Sequence, residues 1–174
     1  MSDGMSSVAR NAVGVMPAPL TGGIIAGLDV HLRQITFDCL DSQTGEVTRG
    51  RIVATPAAVE EWVGRFAGRV VHVAMEACTG WLFVAEAVRR AGGVPHLAET
   101  VETRALRGRK RRAKTDRQDA LWLRELLAEG RLPEAWIAPE HVRQWRSRLH
   151  LKRRCSMSAP SGCCGSDRCS ITTV

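Results

Sequence analysis

The sequence predicts an α/β fold in which a mixed sheet carries helices on both faces. Two hairpin turns follow one another near the start of the chain, so the first three strands should form an antiparallel meander. Apolar runs of strand length then alternate with segments of helical periodicity. One of these runs is continuously apolar apart from a single histidine, which is typical of a central strand covered on both faces.

The three meander strands are predicted from apolar runs and turn residues. Ile24–Asp29 is the first strand and Gln34–Leu40 is the second. Asp41 and Gly45 mark the turn into the third strand, Val47–Ala54. Because each connection is short, neighbouring strands must run in opposite directions.

Helices and strands alternate after the meander. Thr55 is a good N-cap and Pro56 fits the first helical position, so a helix begins there and ends before Gly68. The later elements are predicted as a central strand Val70–Met75, a helix Trp81–Ala91, a strand Val94–Ala98, and helices Asp116–Ala128 and Glu140–His150.

This order of elements is that of the RNase H-like fold. A doubly wound parallel sheet would need helices between the first strands, and the chain has no room for them. Changes in composition divide the chain into a disordered leader (1–22), a folded domain (23–130), a linker with the start of a helical connector (131–151) and an irregular Cys- and Ser-rich tail (152–174).

The formal charge of +7 and the pI near 9.7 indicate a polyanionic partner, either nucleic acid or an acidic membrane surface. No apolar stretch approaches the roughly 18–20 residues that span a bilayer. The leader lacks the hydrophobic run of a signal peptide, so a cytoplasmic protein is expected. Cys39 and Cys78 are therefore predicted to be reduced, buried thiols.

Four acidic residues stand where a metal site could use them. Asp29 ends the first strand, in GLDVH, and Glu76 ends the central strand, in MEACTG. Asp116 and Asp119, in KTDRQDA, are three residues apart and would share one face of a helix. Carboxylate ligands suit a hard cation such as Mg²⁺ or Mn²⁺, which can neutralise charge developing on a phosphodiester.

Each acid also has a purely structural interpretation. Asp29 could cap the turn that follows it, and Glu76 could face solvent at a strand end. Asp116 could be an acid favoured by the helix dipole in the first turn, and Asp119 could pair with a nearby arginine. The metal-site interpretation is preferred because all four acids fall at element ends of the predicted fold.

A basic segment, residues 104–117, leads directly into the last two acids. Its charges could belong to a solvated loop or could hold a nucleic-acid backbone. No aromatic residues interleave with them, so phosphate contacts are expected in place of base stacking, and most of the five Trp residues are predicted to pack in the core. The predicted nucleic-acid-binding residues are Arg104, Arg107, Arg109, Lys110, Arg111, Arg112, Lys114 and Arg117.

GLDVH, EACTG and KTDRQDA resemble the three motifs of the DEDD-type transposases of the insertion-sequence family that is guided by a bridge RNA. The resemblance covers roughly Ile24 to Leu149. It implies a RuvC-like domain that binds DNA and Mg²⁺, a structured guide RNA and assembly into oligomers. By motif, it assigns the tetrad to Asp29, Glu76, Asp116 and Asp119, and the motif lysine to Lys114.

Members of that family also carry a later domain with a nucleophilic serine, and no motif of that kind follows in this sequence. The tail resembles the family's connector only when Ser156 to Thr173 is translated in a shifted frame. The resemblance therefore predicts an inactive, truncated remnant of the enzyme.

Three other functions remain open on the sequence alone. A non-catalytic nucleic-acid-binding module, or an inhibitor of full-length transposase, would bind without Mg²⁺. A stand-alone resolvase-like nuclease would cleave branched DNA and need Glu76. A sugar kinase or related ATPase is disfavoured, because the chain has no second Gly-rich phosphate loop.

Overall fold

The computed structural model describes residues 18–66, 68–107 and 115–157. The elements in these residues are, in chain order, β1 (Ile24–Val30), β2 (Gln34–Asp41), β3 (Val47–Val53), α1 (Pro56–Gly64), β4 (Val71–Glu76), α2 (Trp81–Arg90), β5 (Val94–Ala98), α3 (Thr100–Leu106), α4 (Asp116–Ala128) and α5 (Glu140–Met157).

The described strands form one mixed sheet in the order β3-β2-β1-β4-β5. β1 and β2 pair antiparallel, as do β2 and β3, which confirms the predicted meander. β1 and β4 pair parallel, as do β4 and β5, because α1 and α2 carry the chain back between these strands. β1 is thus the junction between the antiparallel and parallel halves of the sheet.

Helices cover both faces of the sheet. On β2, Phe37 packs against Trp62 of α1, with ring centroids 5.3 Å apart. The neighbouring residue Asp38 points to the opposite face, where it accepts a hydrogen bond from Arg124 of α4. The predicted α/β architecture, a mixed sheet with helices on both faces as in the RNase H-like fold, is confirmed.

Helix α4 lies unusually close to β1. A Cβ atom on Gly27 would stand 2.0 Å from the carbonyl oxygen of Ala120 and 2.6 Å from the amide nitrogen of Arg124. Only glycine allows this approach. The apolar face of α4, including Leu123, Leu126 and Leu127, is then buried against the sheet, and each such side chain contributes roughly 1.5–3 kcal/mol.

A short segment after α4 covers the edge of the sheet at β5. The amide of Ala135 donates to the carbonyl of Leu97 (2.7 Å), and the amide of Glu99 donates to the carbonyl of Pro133 (2.8 Å). These bonds satisfy backbone groups that an open edge strand would expose. The edge of the sheet at β5 is therefore partly closed by the chain itself.

Several boundaries differ from the predictions. α3 was not predicted, although its N-cap Glu99 accepts a hydrogen bond from the amide of Glu102 at 2.7 Å. Leu20, in the predicted disordered leader, packs on the core beside α4 and donates its amide to the carbonyl of Ala128. The last helix extends to Met157, past the point near Lys152 where the helical pattern was predicted to stop.

The chain divides into two compact units, one ending at Trp136 and the other beginning at Ile137. In the second unit, the described element is α5, where Gln144 donates to Glu140 one turn earlier (3.0 Å). No helix in the described parts of the chain has the length and apolarity needed to cross a bilayer.

The predictions for tryptophan and cysteine are only partly correct. Trp62 is 1% exposed and belongs to the core, but Trp136 and Trp145 are 63% and 66% exposed. Helical spacing therefore did not by itself decide burial. Cys39 is buried as predicted, whereas Cys78 is only partly buried. Both are free thiols.

Candidate metal centre

The two strand-borne acids lie at the same edge of the sheet. Leu28 of β1 pairs with Met75 of β4, and Asp29 and Glu76 are the next residues along these parallel strands. Carboxyl ends of adjacent parallel strands meet, so the two acids are neighbours. The Asp29 side chain is 20% exposed, and Glu76 is also partly buried.

The other two acids lie in the first turn of α4. The Thr115 side chain caps this helix by accepting a hydrogen bond from the amide of Gln118 (3.3 Å). Asp116 and Asp119 then follow at the helical spacing that puts them on one face. Because α4 lies so close to β1 at Gly27, its first turn reaches the end of β1 that carries Asp29.

A histidine joins the strand acid to the helix acid. The His31 Nε2 atom is 3.0 Å from Asp29 Oδ2 and 3.4 Å from Asp116 Oδ1. Among the described residues, these three offer ligand atoms that all lie within 4.8 Å of one another. Glu76 and Asp119 do not belong to this group of three.

His31 was not predicted as a site residue, although it stands in the quoted GLDVH motif. The sequence pattern that could have identified it is its position two residues after Asp29, because this spacing puts both side chains on one side of an extended chain. That signal is weak, because His31 follows the end of β1 and its orientation depends on the turn.

Asp119 is held by an arginine at the end of α3. Arg107 Nη1 donates to Asp119 Oδ1 at 2.5 Å, and the Asp119 side chain is only 10% exposed. Arg107 was predicted to contact nucleic acid, whereas here it neutralises a tetrad acid. This contact corresponds to the structural interpretation of Asp119 as the partner of an arginine.

Burial raises the pKa of Asp29 above its usual value. The charge of His31 opposes this shift, whereas the negative charges of Asp119 and Asp116 raise the pKa further. Burial and the two neighbouring carboxylates therefore make the ionised form of Asp29 unfavourable. A bound cation would relieve this repulsion, and oxygen ligands suit a divalent ion such as Mg²⁺.

The structure describes three of the eight predicted nucleic-acid-binding residues. Arg104 and Arg117 are exposed at the ends of α3 and α4, and Arg107 is bound to Asp119. The others lie outside the described residues: Arg109, Lys110, Arg111, Arg112 and Lys114.

One family model matches the chain, and it is described as a transposase, the DEDD transposase of IS110 type. The match spans residues 26–154, which is well over half of the 174 residues and includes all four acids. No curated protein matches the chain. The chain belongs to the DEDD transposase family of the IS110 insertion sequences.

Proposed function

We propose that this chain provides the metal-binding domain for DNA strand cleavage and transfer during transposition. In this proposal, Asp29 and Asp116 hold a divalent cation, Mg²⁺ or Mn²⁺, between β1 and α4. Glu76 and Asp119 stand beside them and complete the tetrad. The cation, when bound, activates a nucleophile and neutralises charge developing on the phosphodiester.

The convergence of Asp29 and Asp116 supports this proposal most strongly. The two acids are far apart in sequence, yet both contact the same His31 nitrogen, at 3.0 and 3.4 Å. Two carboxylates brought together in this way repel each other unless a positive charge stands between them. A divalent cation bound by the two acids would supply that positive charge, and the His31 nitrogen lies close enough to join them as a ligand.

The partner in this proposal is DNA, with a structured guide RNA as the second nucleic acid. The overall charge of +7 favours association with either polyanion. Arg104 on α3 and Arg117 on α4 are exposed to solvent, and Arg117 directly follows Asp116. In this proposal both would contact the phosphate backbone.

Cleavage of fluorescent branched DNA and structured RNA by the full chain tests the proposal. An active nuclease would cut with Mg²⁺ or Mn²⁺ and stop when EDTA is added, whereas the inactive remnant expected from the resemblance would bind the metal ion and the nucleic acid without cutting. Asp29→Asn and Asp119→Asn should reduce cleavage to background. Glu46→Gln, in the β2–β3 turn at the far end of these strands from Asp29, is the matched control and should cleave like wild type.

A second candidate function is nucleic-acid binding without catalysis. The observation that favours it is that these acids already have protein partners: Arg107 pairs with Asp119, and His31 lies against both Asp29 and Asp116. In that case the chain would bind DNA equally well with and without Mg²⁺. Asp29→Asn would leave binding unchanged, and no metal ion would raise the melting temperature.

A further inference from the structure

A small pocket opens between the β2–β3 hairpin and the first turn of α4. Its volume is about 130 Å³, roughly ten times the space that a single water molecule requires. The residues that line it and carry charge or hydrogen-bonding groups are Thr36, Asp38, Arg49, Arg51 and Arg117. Among the described residues of the basic segment, Arg117 in the first turn of α4 belongs to this set.

Thr36, which lines this pocket, has a buried hydroxyl. The residue is 1% exposed, and its Oγ1 atom makes no hydrogen bond within the part of the chain that the structure describes. Leaving a buried polar group unpaired costs roughly 1–3 kcal/mol. A ligand that accepts a hydrogen bond in the pocket would remove this cost.

The pocket carries a net positive charge. Among the described lining residues the one acid is Asp38, and its carboxylate already accepts hydrogen bonds from Arg49 and Arg124, each at 2.5 Å. The side chains of Arg51 and Arg117 form no ion pair or hydrogen bond with any described residue. The side chains that remain available are therefore a hydroxyl donor and two guanidinium groups, a set that fits an oxyanion.

The pocket lies next to the candidate metal centre. Thr36 pairs directly with Asp29 on one side and with Arg51 on the other, so the three side chains form a row on one face of the sheet. Directly opposed side chains are about 5 Å apart. Arg51 is therefore about 10 Å from Asp29 along this row, and Arg117 directly follows Asp116 on α4.

We infer that this pocket binds a backbone phosphate of the nucleic-acid strand that enters the metal centre. The Thr36 hydroxyl donates a hydrogen bond to a non-bridging oxygen, and Arg51 and Arg117 neutralise the charge of the phosphate. The site would fix the register of the strand relative to Asp29, because phosphate contacts position a nucleic acid without reading its sequence. The choice of nucleic acid as ligand rests on the proposed function.

The test is binding of a fluorescent DNA duplex to the full chain in EDTA, so that the metal centre does not contribute. Arg51→Gln should weaken binding about tenfold, as expected for the loss of one charged hydrogen bond. It should also reduce the slope of log K against log salt by about 0.9. Thr36→Val keeps the shape of the side chain and should weaken binding several-fold without lowering the melting temperature.

Arg89→Gln is the matched control, because Arg89 is an exposed arginine on α2, which packs with α1 on the other side of the sheet. Its affinity and salt slope should equal those of wild type. Normal binding by both Arg51→Gln and Thr36→Val would overturn the inference. So would a loss confined to Arg51→Gln, because any basic surface would behave in that way.

This experiment separates the inference from the proposed function. A chain that never cleaves DNA, yet loses affinity in both pocket variants, would contradict catalysis and retain the phosphate site. A chain that cleaves with Mg²⁺, yet binds normally after both substitutions, would retain catalysis and remove the phosphate site. An RNA hairpin tested in parallel shows which nucleic acid occupies the pocket.

Discussion

The pKa of Asp29 is raised by its surroundings in the site. The residue is half-buried at the end of β1, beside Asp116 and Asp119 on α4, and its pKa is raised mainly by burial. A raised pKa means that the folded state holds this proton more tightly than the unfolded chain does. The ionised form therefore destabilises the fold at neutral pH.

Asp29→Asn is expected to stabilise the protein at neutral pH while it removes a proposed metal ligand. The destabilisation by ionised Asp29 is absent below the unfolded pKa of 3.8 and complete above the raised folded pKa. The gain in melting temperature should therefore be present at pH 7 and vanish as the pH falls toward 3.8. Melting curves with and without Mg²⁺ measure both effects, and Mg²⁺ should stabilise wild type only. A variant less stable than wild type at pH 7 would contradict this account.

His31 should influence which metal ions the site accepts. Its nitrogen belongs to the same three-residue group as Asp29 and Asp116. Imidazole suits Ni²⁺ and Zn²⁺, whereas carboxylates suit Mg²⁺ and Mn²⁺. We expect His31→Ala to lower Ni²⁺ affinity by about tenfold or more, in line with the greater affinity of nitrogen ligands for this ion, and to change Mg²⁺ affinity much less. Calorimetric titration of both ions measures the ratio, and an equal loss for both would exclude His31 as a ligand.

The positions of the four acids on β1, β4 and α4 could be predicted from the sequence, but the contacts of these acids could not. Asp116 and Asp119 follow from helical spacing and a good N-cap, which are local properties. The contact between Arg107 and Asp119 instead depends on how α3 and α4 are placed, and a charged segment looks the same in sequence whether it is solvated or paired. The phosphate pocket escaped prediction for the same reason, since Thr36 and Arg51 meet only through strand register.

At the level of elements, the docking of α4 on β1 determines where the acids of this helix lie. The backbone of α4 at Ala120 and Arg124 occupies the space that a side chain on Gly27 would need. A second anchor is the buried ion pair of Arg124 with Asp38 on β2. Together these contacts fix the first turn of α4 relative to Asp29.

Gly27→Ala should destabilise the fold by about 1–3 kcal/mol or more, as overpacking does in a close-packed core. It should also displace Asp116 from Asp29 and weaken metal binding, because α4 must shift away from β1. Gly64→Ala is the matched control, since Gly64 ends α1 with open space around it. That change should be neutral or stabilising by up to about 1 kcal/mol. Denaturant melts of the two variants make the comparison, and equal stability would contradict the close-packing argument.

The elements that could be predicted are those with strong local signals. The meander followed from its turns, and α1 followed from Thr55 and Pro56, whose cap contact is present in the structure. α3 was missed because it is short and polar, so it offers little hydrophobic periodicity. The pairing of Ala135 with Leu97 was also missed, because edge pairing is a tertiary contact.

On the scale of the whole folded unit, β4, β5 and the segment after α4 share a chain of polar contacts that runs from partly buried histidines to an exposed glutamate. His72 Nδ1 lies 3.1 Å from His96 Nε2, and His96 Nδ1 lies 2.8 Å from Glu134 Oε1. Burial lowers the pKa of His72, and the charge of His96 acts in the same direction, while Glu134 opposes both. Protonation of His72 is therefore expected to destabilise the folded state in acid.

The protein should lose stability as the pH falls below about 6.5, the value for a free histidine. A lowered folded pKa means that the unfolded chain binds more protons in this window, so acid favours unfolding until the pH passes the folded pKa of His72. His72→Gln cannot be protonated and can still hydrogen-bond to His96, so part of the loss between pH 7.5 and 5.5 should disappear. His141→Gln, on the exposed surface of α5, should keep the wild-type profile. Chemical denaturation across this range measures the slopes, and identical slopes for wild type and His72→Gln would show that this histidine does not set the acid limit of the fold.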